Sequence, residues 1–419
     1  MNSRRIFLRE GGIAILGLSL VPGFVYRAAM AAKPKLGKKK TLITIFQRGG
    51  ADGLNLVVPF GDKAYYSLRP SIGIHAPSSK EGTAIDLDGF FGLHPAMESL
   101  LPIYKAGDLA IIHATGSPHP TRSHFEAQDY MESAVPGDKT VGDGWLNRYL
   151  SNNPDPDATT FRGVSMGPVL PRSLQGSAPA LALGNLLSTK MTSDTREMYK
   201  TLYDDESDTL LSGTSHELFE AMDQLKEINP QGYEPSNGAT YPDPRGGIGA
   251  RQIQRFSGNM SQVAQMIKAD LGLELAFVDI DGWDTHRNQE GRFHRHLSGF
   301  SQTLAAFYQD LGDRMEDVLI LTMSEFGRTA HENGNAGTDH GKATVMFLMG
   351  GSVNGGTVYG DWPGLEREQL NENRDLAMTT DFRDVFAEVV DNFLECEKPN
   401  LVFPDLELDP GRYRGVVAS

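Results

Sequence analysis

Apolar residues along this chain fall into short unbroken runs separated by stretches of helical spacing. The first run, Thr41-Leu42-Ile43-Thr44-Ile45-Phe46, is stopped by Arg48-Gly49-Gly50, and a run of that length bounded by turn residues predicts a buried strand. Met97, Leu100, Leu101 and Tyr104 then recur at helical spacing until Gly107 ends the helix. Residues 108–114 (DLAIIHA) predict a second strand, with a helix starting near Ser123. After residue 255 the alternation is regular. Met260, Val263, Met266 and Ile267 mark a helix, residues 273–280 a strand, and Leu297, Phe300, Leu304, Phe307 and Leu311 another helix. Residues 318–323 and 344–349 predict two more strands, and Phe382, Val385, Phe386, Val389 and Phe393 line the inner face of a late helix. Strands alternating with helices of this length predict an α/β fold, a mainly parallel sheet sandwiched by helices. Residues 151–255 break the pattern. Pro, Gly, Asn and acidic residues dominate there, with an amphipathic helix around 195–228, and the stretch reads as an insertion or cap in the middle of the chain.

The amino terminus carries an address. Ser3-Arg4-Arg5-Ile6-Phe7-Leu8-Arg9 resembles the twin-arginine export consensus, an apolar run follows from Gly11 to Val25, and Ala29-Met30-Ala31 offers a small-x-small cleavage site. Residues 1–31 are therefore expected to be a signal peptide and residues 32–419 the mature domain. The implied partner during export is the twin-arginine translocase, and the implied location is the periplasm or the exterior. No later segment is long and apolar enough for a membrane span, so no integral membrane segment is expected after cleavage.

Charge narrows the partners further. The chain has 39 basic and 54 acidic residues, a net charge of −15. Removing residues 1–31 takes away Arg4, Arg5, Arg9 and Arg27 against Glu10, which leaves 35 basic against 53 acidic residues. Such a surface excludes a nucleic-acid partner, which needs a basic face. The single cysteine, Cys396, excludes an internal disulfide, an iron–sulfur cluster and a haem held by paired cysteines.

In sheets of this kind, ligands bind beyond the carboxyl ends of the strands. Polar residues cluster there. Asp52 follows the first strand, and Thr121, Arg122, Ser123 and His124 follow the second. Asp281, Asp284 and His286 follow the third, Glu325 and Arg328 the fourth, and Asp339-His340 precede the fifth. Singly, each has a plain structural use, as a turn residue, a helix cap or a surface charge. Together they suit a divalent cation, with the metal set by the oxygen-to-nitrogen ratio. A hydroxyl beside a metal at a helix start can act as nucleophile, and Arg122 and Arg328 offer planar bidentate donors for a tetrahedral oxyanion. His294 and His296, two apart on a helix, read as solvated surface.

At these residues the chain resembles the alkaline-phosphatase-like superfamily, which includes sulfatases and cofactor-independent phosphoglycerate mutases. It resembles more specifically the exported, sulfatase-like family catalogued as domain of unknown function 1501. The resemblance covers about residues 41–410 and rests on RGGADGLN at 48–55, RSHFEAQDYME at 122–132, GWDTHRNQ at 282–289, and SEFGRT with TDHGKA between 324 and 343. It implies Asp52 as a metal ligand, Ser123 as the nucleophile with Thr121 as second choice, and Asp284 with His286 on one metal, Asp281 being a rival. His340 matches the last histidine of the pattern. Where the superfamily has Asp-His-Gly, this chain has Glu325-Phe326-Gly327, so a carboxylate is kept and a histidine is lost. One or two divalent ions are implied. Asp52, Ser123 and Glu325 form an oxygen-rich set suited to Mg²⁺, Ca²⁺ or Mn²⁺, and Asp284, His286 and His340 form a set suited to Zn²⁺ or Mn²⁺.

The activity implied is a periplasmic metal-dependent hydrolase of phosphate or sulfate esters, acting on a small-molecule or glycan ester through Ser123. The alternative is a non-catalytic exported protein that binds metal or glycan or assists assembly, which the lost histidine favours. A Gly-x-Gly-x-x-Gly fingerprint after the first strand is absent, which disfavours a dinucleotide enzyme.

Overall fold

The computed structural model describes residues 13–14, 39–184, 232–247 and 249–418. The expected signal peptide, apart from residues 13–14, and the expected amphipathic helix around 195–228 lie outside the described residues. One large sheet organises the rest. Its strands are β1 (Thr41–Arg48), β2 (Leu109–Gly116), β3 (Gly163–Ser165), β4 (Leu181–Leu183), β5 (Leu275–Asp281), β6 (Val318–Met323), β7 (Thr344–Gly350), β8 (Thr357–Tyr359) and β9 (Thr380–Asp381). Their order is β4-β3-β5-β1-β6-β7-β2-β8, with β9 also on β2 and the short pair Ile13–Ala14 beside β4. All neighbours along this order run parallel except β7, which is antiparallel to both β6 and β2. Of the stretch expected as an insertion, residues 163–165 and 181–183 are thus strands of the main sheet.

Side chains alternate between the two faces of a strand, and here both faces are dry. Ile43, Ile45, Val278 and Ile320 face one core, closed by Phe256, Met260 and Val263 of helix Ala250–Lys268 and by Phe300, Leu304 and Phe307 of helix Gln289–Leu311. Leu42, Phe46, Phe277 and Leu321 face the other, closed by Trp145, Phe382, Val385, Phe386, Val389 and Phe393. Burial on both faces explains why the central strands read as continuous apolar runs rather than alternating ones.

The reversed β7 has a consequence for function. Because β7 starts where β6 and β2 end, pairing Leu321 with Leu348 and Thr115 with Thr344, the connection from Ser324 to Ala343 never leaves the carboxyl edge of the parallel strands. Glu325, just after β6, and His340, just before β7, are therefore held at the same edge as the ends of β1, β2 and β5.

Candidate metal centre

Helix α1 (His124–Ser133) is the first helix after β2, with Ser123 as its N-cap residue. His124 and Gln128 stand four apart and so share a face of the helix. Both donate to the buried Oε1 of Glu325, His124 through Nδ1 at 2.8 Å and Gln128 through Nε2 at 2.9 Å. The Gly49 amide donates to the same oxygen at 2.9 Å. Gly49 sits at φ +124°, and a Cβ there would lie 2.5 Å from the Asp284 nitrogen. Only glycine lets the two strand ends approach so closely.

Asp284 is the hub. Its Oδ1 is 2.8 Å from Arg328 Nη1, 3.0 Å from His286 Nε2 and 3.3 Å from His340 Nε2, while Oδ2 faces His124 Nε2 at 3.6 Å. His286 Nε2 and His340 Nε2 are themselves 3.0 Å apart. The far nitrogen of each ring decides what these contacts mean. His340 Nδ1 lies 2.9 Å from the Arg122 carbonyl and His286 Nδ1 lies 3.0 Å from Asp339 Oδ1. A carbonyl and a carboxylate only accept, so each neutral ring carries its hydrogen on Nδ1 and turns a bare Nε2 inward. Two lone pairs and a carboxylate oxygen then point at one another, an arrangement that a cation resolves. Ligand atoms of His124, Asp284 and His340 lie within 4.8 Å of one another, and carboxylate or carbonyl partners on the outer nitrogens are the usual support of metal-binding histidines. These residues fit a divalent ion.

The charges are set by neighbours. Burial would raise the Asp284 carboxyl, but the His124 imidazole and the Arg328 guanidinium beside it hold it far below the usual carboxylate range. Asp284 and Glu325, in that order, push the His124 imidazole up to about 9. Glu325 resists its burial through the bonds from His124, Gln128 and Gly49 and stays below its ordinary value. The centre is open to solvent, the side chains of Asp284 and Asp339 being 45% and 53% exposed.

Of the residues singled out in the sequence, the structure brings Asp284, His286 and His340 together, with Glu325 behind His124. The oxygen-rich second set does not assemble. Both oxygens of buried Asp52 are taken by Arg69, at 2.7 and 2.9 Å, and Gln289 donates to Oδ2 as well. The Ser123 side chain is exposed and makes no capping hydrogen bond. The residue of that turn which enters the cluster is the next one, His124, to which the family resemblance assigns no role. Thr121 donates to Glu126, and Asp281 faces Arg255 at 4.0 Å. Both arginines make ion pairs within the protein. Arg122 is bound by Glu372 and Asp375 at 2.8 and 2.7 Å. Arg328 is buried and is spent on Asp284, the Gly49 carbonyl and Thr338. His296, expected on the surface, is buried against Trp283, with ring centroids 4.6 Å apart.

A mainly parallel α/β sheet with carboxylates and imidazoles gathered at its carboxyl edge defines the class. Within that class, residues 39–397 match the family described as "Protein of unknown function (DUF1501)", and the chain belongs to that family. Three solved structures are among those the chain is similar to. The PsFucS1 sulfatase from Pseudoalteromonas sp. is 13% identical over 91% of this chain and 71% of its own, with a TM-score of 0.39. The C-terminal periplasmic domain of EcEptC from Escherichia coli is 8% identical over 90% of each chain, with a TM-score of 0.36. The lipoteichoic acid synthase LtaP from Listeria monocytogenes is 8% identical over 83% of this chain and 71% of its own, with a TM-score of 0.33.

Proposed function

We propose that this chain is an exported, metal-dependent hydrolase of phosphate or sulfate esters, working at one metal centre formed by His124, Asp284, His286 and His340. The observation that carries the reading is the convergence of the Nε2 atoms of His286 and His340 on Asp284 Oδ1. A donor set with this much nitrogen suits Zn²⁺ or Mn²⁺ better than Ca²⁺ or Mg²⁺. When bound, such an ion supplies Lewis acidity toward an ester oxygen and eases deprotonation of a nucleophile. The protein's own groups do the rest. Glu325 orients His124, Asp339 orients His286, the Arg122 carbonyl orients His340, and buried Arg328 fixes Asp284. Ser123 sits one residue before His124 at the helix start, where its hydroxyl is a candidate nucleophile. Export through the twin-arginine translocase is part of the same proposal and rests on residues 3–9 and 29–31.

The second reading, a non-catalytic metal- or glycan-binding protein, is favoured by a specific observation. Arg328 is buried and committed to Asp284, the Gly49 carbonyl and Thr338, so it is not available to clamp a transferred oxyanion, and Arg122 already pairs with Glu372 and Asp375. One experiment separates the two. Purified exported protein is analysed for metal and assayed on aryl phosphates, phosphodiesters and aryl sulfates with Mn²⁺ or Zn²⁺ added. Hydrolysis that disappears in His286→Ala establishes the enzyme. A parent that holds metal and hydrolyses none of the panel establishes the binding protein.

A further inference from the structure

Asp52, which the sequence pattern marks as a metal ligand, is tied to the metal centre by a different route. From its carboxylate a line of buried hydrogen bonds runs to Asp284. Gln289 Nε2 donates to Asp52 Oδ2. Gln289 Oε1 accepts from Thr338 Oγ1 at 3.0 Å and from Thr285 Oγ1 at 2.7 Å. Thr338 Oγ1 accepts from Arg328 Nε at 3.2 Å, and Arg328 Nη1 donates to Asp284 Oδ1 at 2.8 Å. Asp52, Thr285, Gln289, Arg328 and Thr338 are all 0–1% exposed.

The direction of every bond in this line is fixed by chemistry. The Asp52 carboxylate, clamped by Arg69, only accepts, so the Gln289 amide must turn its NH₂ toward it and its oxygen toward the two threonines. An arginine only donates, so Thr338 must give its hydrogen to Gln289 and its lone pair to Arg328. Reversing any member would set two donors or two acceptors against each other in a dry interior, at the cost of an unmade buried bond. The line therefore admits one arrangement, and that arrangement aims Arg328 at the oxygen of Asp284 on which His286 and His340 converge.

We propose that Asp52, Gln289 and Thr338 are positioning residues for the metal centre, acting on Asp284 through Arg328. This rests on the metal-binding reading above. Asp52 is then the fixed end of a relay that sets the affinity of a site it does not touch. Groups at this remove from a metal commonly change affinity ten- to a hundredfold when altered.

The test uses position 338, where one hydroxyl completes the line. Binding of Mn²⁺ and Zn²⁺ alone to full-length mature protein is measured by calorimetry, with melting of the metal-free proteins recorded in parallel. Thr338→Val is expected to weaken metal binding about tenfold, and Thr338→Ser to keep it within about twofold. If valine does not fold at this buried position, Thr338→Ser against Thr338→Ala carries the same test, since those two differ by the hydroxyl alone. A merely structural threonine would lower the metal-free melting temperature and leave affinity unchanged. That result overturns the relay while leaving the metal centre standing. A parent protein that binds neither ion overturns the proposed function, and the relay's purpose falls with it.

Discussion

The Arg69–Asp52 pair offers the sharpest energetic test, because the carboxylate that sequence logic assigns to metal is here fully engaged by an arginine 17 positions along the chain. Arg69 is 1% exposed and makes five hydrogen bonds. Two go to the Asp52 oxygens, one to Asn55 Oδ1 at 2.7 Å, and two to the carbonyls of Thr329 and Ala330 at 2.8 and 3.0 Å. Arg69→Met keeps most of the volume but strands a buried carboxylate, of whose bonds only the one from Gln289 remains. Removing one partner of a buried ion pair costs about 3–5 kcal/mol, or roughly 5 °C in melting temperature for a chain of this length. Asp52→Asn strands the guanidinium instead and should cost a similar amount. The double variant should cost clearly less than the sum, because no uncompensated charge is left. Urea unfolding of the four metal-free proteins reads this cycle. A loss below about 1 kcal/mol for Arg69→Met, or strict additivity in the double variant, would refute the pairing. Metal titration adds a second arm. Were Asp52 a ligand-in-waiting, Arg69→Met would release it and tighten binding, whereas the observed geometry predicts equal or weaker binding.

Four further outcomes follow from the same observations. Arg4→Lys/Arg5→Lys should leave the precursor in the cytoplasm in cell fractionation, and normal export of that variant would count against the signal assignment. His124→Ala should lower metal content while Ser123→Ala leaves it unchanged, since only the histidine faces Asp284; equal metal loss in both would contradict the placement of α1. Inorganic phosphate or sulfate should bind only to metal-loaded protein, because the exposed carboxylates of Asp284 and Asp339 are held ionised and would repel an anion from the bare site. Burial pushes His94, His113 and His296 each down to about 4, so the stability each contributes is present above the unfolded value of about 6.5 and is lost as pH falls through 4; urea midpoints that stay flat between pH 7 and 4 would contradict their burial.

Two arginines near the site serve its own side chains and backbone. Asp284 must stay ionised beside two imidazoles and half open to water, and Arg328 secures this from the protein side at 2.8 Å. Arg122 has a different duty. Its side chain crosses to Glu372 and Asp375, which leaves its carbonyl in place to accept from His340 Nδ1. Both guanidiniums therefore support the geometry of the ligands. On the proposed reading, attraction for an anionic ester then falls to the metal ion.

Much of this was legible in the sequence for a physical reason. Strands buried on both faces leave unbroken apolar runs, which is why residues 318–323 matched their strand end for end, and loops at strand ends collect the polar groups a ligand needs. What escaped depends on contacts that no local pattern records. Arg69 reaches Asp52 across 17 residues and Arg122 reaches Asp375 across 253. The individual part played by His124 was hidden by the serine before it, although its spacing from Gln128 put two polar residues on one face of a new helix, a sign that the face meets something polar. The direction of β7 was the largest gap. A strand's composition is the same whichever way it runs, yet only the antiparallel direction keeps residues 324–343 at one edge of the sheet. Had β7 run parallel to β6, its first residues would lie at the opposite edge, about 20 Å away for a six-residue strand. His340 would then be out of reach of Asp284, so the reversal of one strand is what completes the centre.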